Sequence, residues 1–81
     1  MFYVYFLKSL KNEDVYIGSC KNVSVRTINH NSGKVKSTKG YRPWKLLGYE
    51  EYNTRSEAFK MEHFYKTGRQ RELLKQKYIG Q

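Results

Sequence analysis

The apolar residues of the chain fall into three runs typical of strands and three amphipathic spacings typical of helices. Aromatic and β-branched residues favour strands over residues 2–8, 15–19 and 44–52. The polar stretch 9–14 joins the first two strands as a hairpin. Apolar spacing and end signals predict helices over residues 23–31, 55–67 and 69–78. The predicted element order is therefore β-β-α-β-α-α.

The first predicted helix has recognisable ends and a predicted inner face. Asn22 stands at the N-cap position and Gly33 follows the last turn. Val25 and Ile28 are three residues apart, so we expect them to contact the core. Arg26 and His30 are then expected to project together from another side of this helix.

The last two predicted helices are separated by a glycine. Thr54 and Glu57 have the spacing of a capping box, in which each side chain satisfies a free backbone N–H at a helix start. Gly68 is expected to end that helix. In the final helix, Leu73 and Leu74 are expected to face the core.

Length and charge narrow the class of protein. A chain of 81 residues predicts one domain, residues 1–81, with a small core. The formal net charge of +9 favours a polyanionic partner. Nucleic acid is preferred over an anionic membrane because the basic residues lie in predicted loops and at helix ends, rather than on one amphipathic helix. Charge alone does not choose between DNA and RNA.

The basic residues concentrate in one loop and around one helix junction. They either keep the protein soluble or contact phosphates, and we take them as candidate nucleic-acid-binding residues. These residues are Lys34, Lys36, Lys39, Arg42, Lys66, Arg69 and Arg71.

Cysteine usage and hydropathy predict a cytoplasmic protein. The single Cys20 excludes an internal disulfide, and no cluster of Cys and His has the spacing of a zinc site. No segment approaches the roughly 18 apolar residues of a membrane span. The apolar run at residues 2–7 is too short for a signal peptide, so we expect no membrane association.

Two tyrosines on neighbouring strands are the first candidates for chemistry. Alternate side chains share a strand face, so Tyr3 and Tyr5 point together, as do Tyr16 and Gly18. Pairing of the strands can place Tyr5 beside Tyr16. This is either cross-strand aromatic packing or the wall of a site. Gly18 favours the second interpretation because it lets another group approach the backbone.

Three polar residues on the predicted helices have two interpretations each. Arg26 is either a solvated residue or a guanidinium that clamps a phosphate. His30 is either a structural residue or a proton donor or phosphate contact. Glu62 lies on or beside the apolar stripe of its helix, so it either pairs with Lys66 one turn later or turns toward the sheet to bind a metal. One carboxylate can serve Mg²⁺ when waters and substrate phosphate complete the coordination.

The order and spacing of these residues resemble the GIY-YIG nuclease superfamily over nearly the whole chain. The two tyrosine motifs are Tyr3-Val4-Tyr5 and Tyr16-Ile17-Gly18, followed by Arg26 and Glu62. The stretches 30–33 and 42–46 are similar to the short single-domain bacterial branch, which is related to the N-terminal nuclease domain of the bacterial excinuclease.

The resemblance implies an α/β (α+β) fold, with a three-stranded antiparallel sheet flanked by helices. It also implies a nuclease that uses one divalent metal, Mg²⁺ or Mn²⁺. One of the two motif tyrosines would activate water, Arg26 would stabilise charge on the scissile phosphate and Glu62 would hold the metal. The candidate catalytic residues are Tyr5, Tyr16, Arg26, His30 and Glu62.

The chain departs from the family pattern at two positions. Tyr3 replaces the glycine of the first motif, as is common in the short branch. Ser19 replaces a lysine that follows the second motif in excinuclease, so the resemblance leaves open how a tyrosine is activated.

Two functions from different classes are consistent with these residues. The first is a metal-dependent endonuclease acting on DNA, at flaps, nicks or single-stranded regions, in repair or recombination. The second is a catalytically weak or inactive nucleic-acid-binding module of the same fold, and a structural component of a repair complex is a third possibility. The chain is expected to act as a monomer or a weak homodimer, with little sequence preference.

Overall fold

The computed structural model describes residues 1–79 and has the predicted order of elements. The strands are β1 (Phe2–Ser9), β2 (Val15–Cys20) and β3 (Trp44–Tyr52). The helices are α1 (Val23–Ser32), α2 (Arg55–Tyr65) and α3 (Gly68–Ile79). A short 3₁₀ turn, Lys39–Tyr41, precedes β3. The order β-β-α-β-α-α and the three-stranded antiparallel sheet are confirmed.

The sheet has the order β2-β1-β3, so the first strand of the chain is its centre. Both neighbours pair with β1 in antiparallel fashion. Tyr5 lies opposite Gly18 on one side and opposite Tyr49 on the other. A bulge interrupts the pairing with β3 between Phe6 and Leu7. Four consecutive residues of β1, from Val4 to Leu7, are buried because both faces of this central strand are covered.

Helices cover both faces of the sheet, and side-chain alternation divides the core between them. On one face, a cluster of apolar residues from β1 and β2 packs against Ala58 of α2 and Leu74 of α3. On the other face, Tyr5, Leu7 and Trp44 form a second buried cluster, with Val23 of α1 packed against it. The first cluster consists of Val4, Phe6, Val15, Ile17, Ala58 and Leu74.

The prediction for the inner face of α1 was wrong. Val25 and Ile28 are 52% and 64% exposed, whereas His30 is 0% exposed. The inner face instead carries Val23, Arg26 and His30, which recur at helical spacing. Only one of these is apolar, so hydrophobic periodicity could not identify this face. The helix buries a polar stripe because the side chains of the sheet and loop supply its hydrogen-bond partners.

The predicted ends of α1 are confirmed by the cap geometry. The Asn22 side chain accepts a hydrogen bond from the backbone N–H of Val25, at 3.0 Å. Gly33 adopts a left-handed conformation with φ of 86°, and its N–H donates to the carbonyls of Asn29 and His30.

The junction between α2 and α3 differs from the prediction in detail. The capping box of Thr54 and Glu57 is confirmed, but α2 ends at Tyr65 and Gly68 begins α3. In α3, Leu74 is buried as predicted, whereas Leu73 is about half exposed. Adjacent helical residues point about 100° apart, so a short helix seldom buries both.

We predict that Ile28→Gln changes the free energy of unfolding by less than about 0.5 kcal/mol, because this side chain is exposed. Leu74→Ala is the matched core substitution and should cost about 2–5 kcal/mol. Urea unfolding of both variants measures the two effects. A large loss of stability in Ile28→Gln would show that α1 docks through its apolar side after all.

Candidate active site

The Tyr5 hydroxyl is the centre of the cluster that the sheet and α1 form together. Tyr5 is 1% exposed. Its oxygen lies 2.8 Å from Nε2 of His30 and 3.4 Å from Nε of Arg26. Both partners come from α1, one turn apart, so one helix face supplies both hydrogen bonds. Burial is the main reason that the pKa of Tyr5 is raised well above the ordinary tyrosine value.

Tyr16 lies beside this cluster, diagonally across the strand pair. The strand register places Tyr5 opposite Gly18, and Tyr16 opposite Leu7. The rings of Tyr5 and Tyr16 are nevertheless near one another, with centroids 6.1 Å apart. Tyr16 is partly exposed, and its hydroxyl makes no hydrogen bond with any of residues 1–79. It is therefore the motif tyrosine whose hydroxyl is available to water or a ligand.

Gly18 is required for the close packing of the two tyrosines. A Cβ atom at this position would lie 2.5 Å from the Tyr5 hydroxyl oxygen and 3.0 Å from the ring of Tyr16. The group that approaches the Gly18 backbone is therefore the Tyr5 hydroxyl. Because Tyr5 is enclosed on all sides, it has no room to retreat from a larger residue.

His30 is a buried part of the cluster and has no contact with solvent. Its Nε2 faces Tyr5 and its Nδ1 lies 2.8 Å from Oγ1 of Thr38. Burial, assisted by the positive charge of Arg26, lowers the pKa of His30 to about 4. The imidazole is therefore neutral near pH 7. Its burial excludes direct contact with a phosphate, so any role in chemistry is exerted through Tyr5.

Arg26 is held by one nitrogen and leaves the others free. Its Nε donates to the Tyr5 oxygen, and this hydrogen bond raises the pKa of Arg26. The two terminal Nη atoms make no hydrogen bond with residues 1–79. A guanidinium anchored in this way can offer its terminal N–H groups to phosphate oxygens.

Glu62 reaches the same edge strand from the opposite face of the sheet. Gly18 faces the tyrosines, so its neighbour Ser19 faces α2. The Ser19 hydroxyl donates to Oε1 of Glu62 at 2.6 Å, and Nζ of Lys66 donates to Oε2 at 2.7 Å. No hydrogen bond links Glu62 to Tyr5 or Tyr16 within residues 1–79. The strand β2 therefore separates the carboxylate from the tyrosine cluster.

The Glu62 carboxylate is ionised near neutral pH. Partial burial acts to raise its pKa, but the hydrogen bonds from Lys66 and Ser19 outweigh that effect and the pKa is lowered. The predicted pairing of Glu62 with Lys66 is confirmed, and the carboxylate also turns toward the sheet, where it meets Ser19; the metal-binding role stays a prediction.

The acidic residues allow a metal only with help from substrate and water. Within residues 1–79, no group of three or more His, Cys, Asp or Glu side chains is placed to hold a metal ion. Glu62 is an ionised carboxylate, and one of its oxygens is covered only by the partly exposed Lys66. The Lys66 side chain is 42% exposed whereas that of Glu62 is only 14% exposed, so a cation would have to displace the lysine from a partly buried ion pair. The carboxylate thus fits a hard divalent ion as a single protein ligand.

One of the basic candidates forms an ion pair between two elements, and the others have exposed side chains. Arg71 donates to the Asp14 carboxylate at 2.9 Å and also to the Val15 carbonyl, so it links α3 to the hairpin. The remaining candidates have exposed side chains on the loop and around the junction of α2 and α3, although Lys66 also pairs with Glu62 and Nε of Arg42 also donates to the Lys39 carbonyl. They are Lys34, Lys36, Lys39, Arg42, Lys66 and Arg69.

Thr38 is a buried member of the cluster that sequence analysis did not identify. It is 2% exposed and contacts His30 through its hydroxyl. Its carbonyl accepts a hydrogen bond from Nε1 of Trp44 at 3.0 Å. A threonine in a stretch of Lys, Ser and Gly has the composition of a solvated loop, so no sequence pattern signals this contact.

None of the described helices is long and apolar enough to span a bilayer.

Comparison with known proteins connects this geometry to one family. The family model described as the GIY-YIG catalytic domain matches residues 1–80. UPF0213 protein SERP0126 of Staphylococcus epidermidis is 42% identical over 74 residues, which cover 90% of this chain and 89% of that protein. UPF0213 protein SSP2268 of Staphylococcus saprophyticus is 41% identical, covering 88% of each chain. The solution NMR structure of the UPF0213 protein BH0048 from Bacillus halodurans is 33% identical, has a TM-score of 0.55, and is matched over 91% of this chain and 82% of that one.

We predict that Gly18→Ala lowers the free energy of unfolding by about 1–3 kcal/mol, because the new methyl group would overlap the confined Tyr5 hydroxyl. Gly40→Ala is the control, since a Cβ there meets no atom within 4 Å. Chemical denaturation of both variants measures the difference. Equal stability of the two would contradict the close packing at Gly18.

We predict that the protein loses about 2 kcal/mol of stability between pH 7.5 and pH 5 because of His30. The unfolded imidazole gains a proton near pH 6.5, whereas the folded one stays neutral until about pH 4, so acid favours unfolding. Urea unfolding at several pH values measures this loss.

The loss in this range should disappear in His30→Gln and persist in His63→Gln, which changes an exposed histidine of α2. Asp14 and Glu62, whose pKa values are lowered, contribute a further loss only in more acidic solution. Stability that is flat from pH 7.5 to pH 5 in the wild type would refute a buried neutral His30.

Proposed function

Because the chain belongs to the GIY-YIG family, we propose that it is an endonuclease that hydrolyses phosphodiester bonds in DNA. The observation that carries this proposal is the state of Arg26. Its Nε is anchored on the buried Tyr5, while its terminal nitrogens are unbonded within residues 1–79. The neighbouring Tyr16 hydroxyl is likewise unbonded within this part of the chain. An anchored cation and an available hydroxyl are suited to hold a phosphate and a water.

The two motif tyrosines have different roles in this proposal. Tyr16, after its own proton has passed to solvent, accepts a proton from the attacking water as the water oxygen bonds to phosphorus and the bond between phosphorus and the leaving sugar oxygen breaks. A nearby positive charge stabilises the negative charge on the tyrosine oxygen in this step. Arg26 supplies that charge. Tyr5, whose pKa is raised by burial, instead orients Arg26 and keeps its own proton.

Glu62 is the residue that would hold the divalent cation, Mg²⁺ or Mn²⁺. When bound, such an ion polarises the phosphate and neutralises charge on the leaving oxygen. Ser19 fixes one carboxylate oxygen of Glu62 through its hydroxyl. Ser19 occupies the place of a lysine in excinuclease, so in this chain the residue orients the carboxylate rather than adding a charge beside a tyrosine.

The exposed basic residues are proposed to contact the backbone of DNA. Phosphate contacts make affinity fall steeply with salt and carry little sequence information. The resemblance to the excinuclease domain supports a role in repair or recombination, at flaps, nicks or single-stranded regions. The free Cys20 is consistent with action in the cytoplasm, as a monomer or a weak homodimer.

A nucleic-acid-binding module without efficient catalysis is the second candidate, and two observations favour it. Lys66 covers the Glu62 oxygen on which a metal would bind. The carboxylate also approaches β2 from the face opposite the tyrosines. If Lys66 keeps its place when DNA binds, the protein retains the charge for binding but lacks its metal.

We predict that Glu62→Gln reduces the cleavage rate by about 100-fold or more, because the amide removes the charge that the metal requires. DNA affinity should change little, since Glu62 is not among the basic residues that face phosphate. The measurement is cleavage of labelled single-stranded, duplex and flap DNA with Mg²⁺, with Mn²⁺ and with EDTA, together with fluorescence anisotropy for binding.

Glu72→Gln is the matched control because it removes an exposed carboxylate from α3 and should cleave at the wild-type rate. Cleavage by Glu62→Gln at the wild-type rate would contradict the assigned role of Glu62. Salt-sensitive binding by the wild type with no cleavage of any of these substrates would favour the binding module.

A further inference from the structure

Three buried side chains form a hydrogen-bonded chain from the basic loop to the central strand. Oγ1 of Thr38 lies 2.8 Å from Nδ1 of His30, and Nε2 of His30 lies 2.8 Å from the Tyr5 oxygen. All three residues are at most 2% exposed. The chain has a further acceptor at one end, where the Thr38 hydroxyl lies 3.3 Å from the Val35 carbonyl. At the other end, Nε of Arg26 lies 3.4 Å from Tyr5.

The directions of these hydrogen bonds follow from the chemistry of the ends. A carbonyl only accepts and a guanidinium only donates. Thr38 therefore donates its proton to Val35, and its oxygen accepts from Nδ1–H of His30. Nε2 of His30 then carries no proton and accepts the Tyr5 hydroxyl proton. The Tyr5 oxygen keeps a lone pair for Arg26, so every donor in the chain has an acceptor.

The opposite direction leaves a buried donor without an acceptor. If Thr38 donated to Nδ1, His30 would carry its proton on Nε2 and donate to Tyr5. The Tyr5 oxygen would then accept from both His30 and Arg26, and its own proton would have no acceptor among residues 1–79. An unpaired hydroxyl in a fully buried position is strongly disfavoured.

Thr38 is suited to set this direction because its backbone is fixed independently of its side chain. The Thr38 carbonyl accepts from Nε1 of Trp44 and from the backbone N–H of Tyr41, at 3.0 Å and 3.1 Å. Trp44 is held in turn by two hydrogen bonds between its backbone and the Asn31 side chain. The hydroxyl is thus presented from a rigid support within the loop that carries the lysines.

We propose that Thr38 is a positioning residue for Arg26, acting through His30 and Tyr5. By accepting from Nδ1–H, Thr38 makes His30 take the Tyr5 proton, so Nε of Arg26 is the only donor to the Tyr5 oxygen within residues 1–79 and does not share that oxygen with an Nε2–H group of His30. The terminal N–H groups of Arg26 are then directed to a substrate. The role of Arg26 toward phosphate rests on the proposed function, but the tautomer and the Arg26 anchor are properties of the free protein.

The first test is NMR spectroscopy of the free protein, which needs no DNA. Imidazole ¹⁵N shifts should show His30 with its proton on Nδ1, and Nε–H of Arg26 should exchange slowly with water. Thr38→Val keeps the side-chain volume but removes the acceptor. It should shift His30 toward the Nε2–H tautomer and speed exchange at Arg26, whereas Thr38→Ser should match the wild type.

The Nε2–H tautomer in the wild type would overturn the proposal. So would Thr38→Val with an unchanged tautomer and unchanged exchange at Arg26. Val15→Ala is the control for lost stability, because Val15 is buried in the cluster on the other face of the sheet. It should leave both NMR signals unchanged, and an equal change in this variant would show that the signals report stability alone.

The second test is cleavage. If the wild type cleaves DNA, Thr38→Val should lower kcat by about 10- to 100-fold through misplacement of Arg26. Thr38→Ser should restore the rate, and Val15→Ala should retain it. Full activity of Thr38→Val would overturn the role of Thr38 in positioning. If the wild type cleaves nothing, the proposed nuclease function fails, and the NMR test still decides whether Thr38 positions Arg26.

Discussion

The burial of the Tyr5 hydroxyl is the constraint on which the arrangement of α1 depends. A hydroxyl enclosed at the centre of a sheet must find hydrogen-bond partners, because water cannot reach it. Those partners are His30 and Arg26, and both belong to α1. The helix therefore docks through Val23 and a polar stripe, and it turns Val25 and Ile28 to solvent. The same hydroxyl occupies the space that a side chain at Gly18 would need.

The edge strand β2 brings two chemically different groups to one border of the sheet. Successive residues of a strand face opposite sides, so Gly18 meets the tyrosine cluster and Ser19 meets Glu62. Each side has its own electrostatic character. Tyr5, His30 and Arg26 form a cluster whose positive charge is that of Arg26, because the imidazole is neutral. On the other side, the ionised Glu62 accepts hydrogen bonds from Ser19 and Lys66. In the proposed function, a phosphate that spans this border would meet the guanidinium from one side and the carboxylate that would hold a metal from the other.

Positive charge serves structure as well as binding in this chain. Arg71 joins α3 to the first hairpin through Asp14, and Lys66 partly neutralises Glu62. The lysines of the loop that follows α1 are exposed, yet the loop is anchored at Thr38, on the same hydrogen-bonded chain as Tyr5. Contacts between DNA and the loop would therefore act on a segment that is already coupled to the site, rather than on a free tether.

Local chemistry in the sequence determined the strands and the helix caps at Asn22 and Thr54, because each depends on residues close by in the chain. The resemblance of the two tyrosine motifs to a known family indicated the candidate residues and the antiparallel sheet. Only the tertiary structure decided the inner face of α1 and the burial of Thr38, since both depend on partners distant in sequence. Hydrophobic spacing cannot predict a face that is buried through hydrogen bonds, because the pattern records apolar residues and not the positions of acceptors.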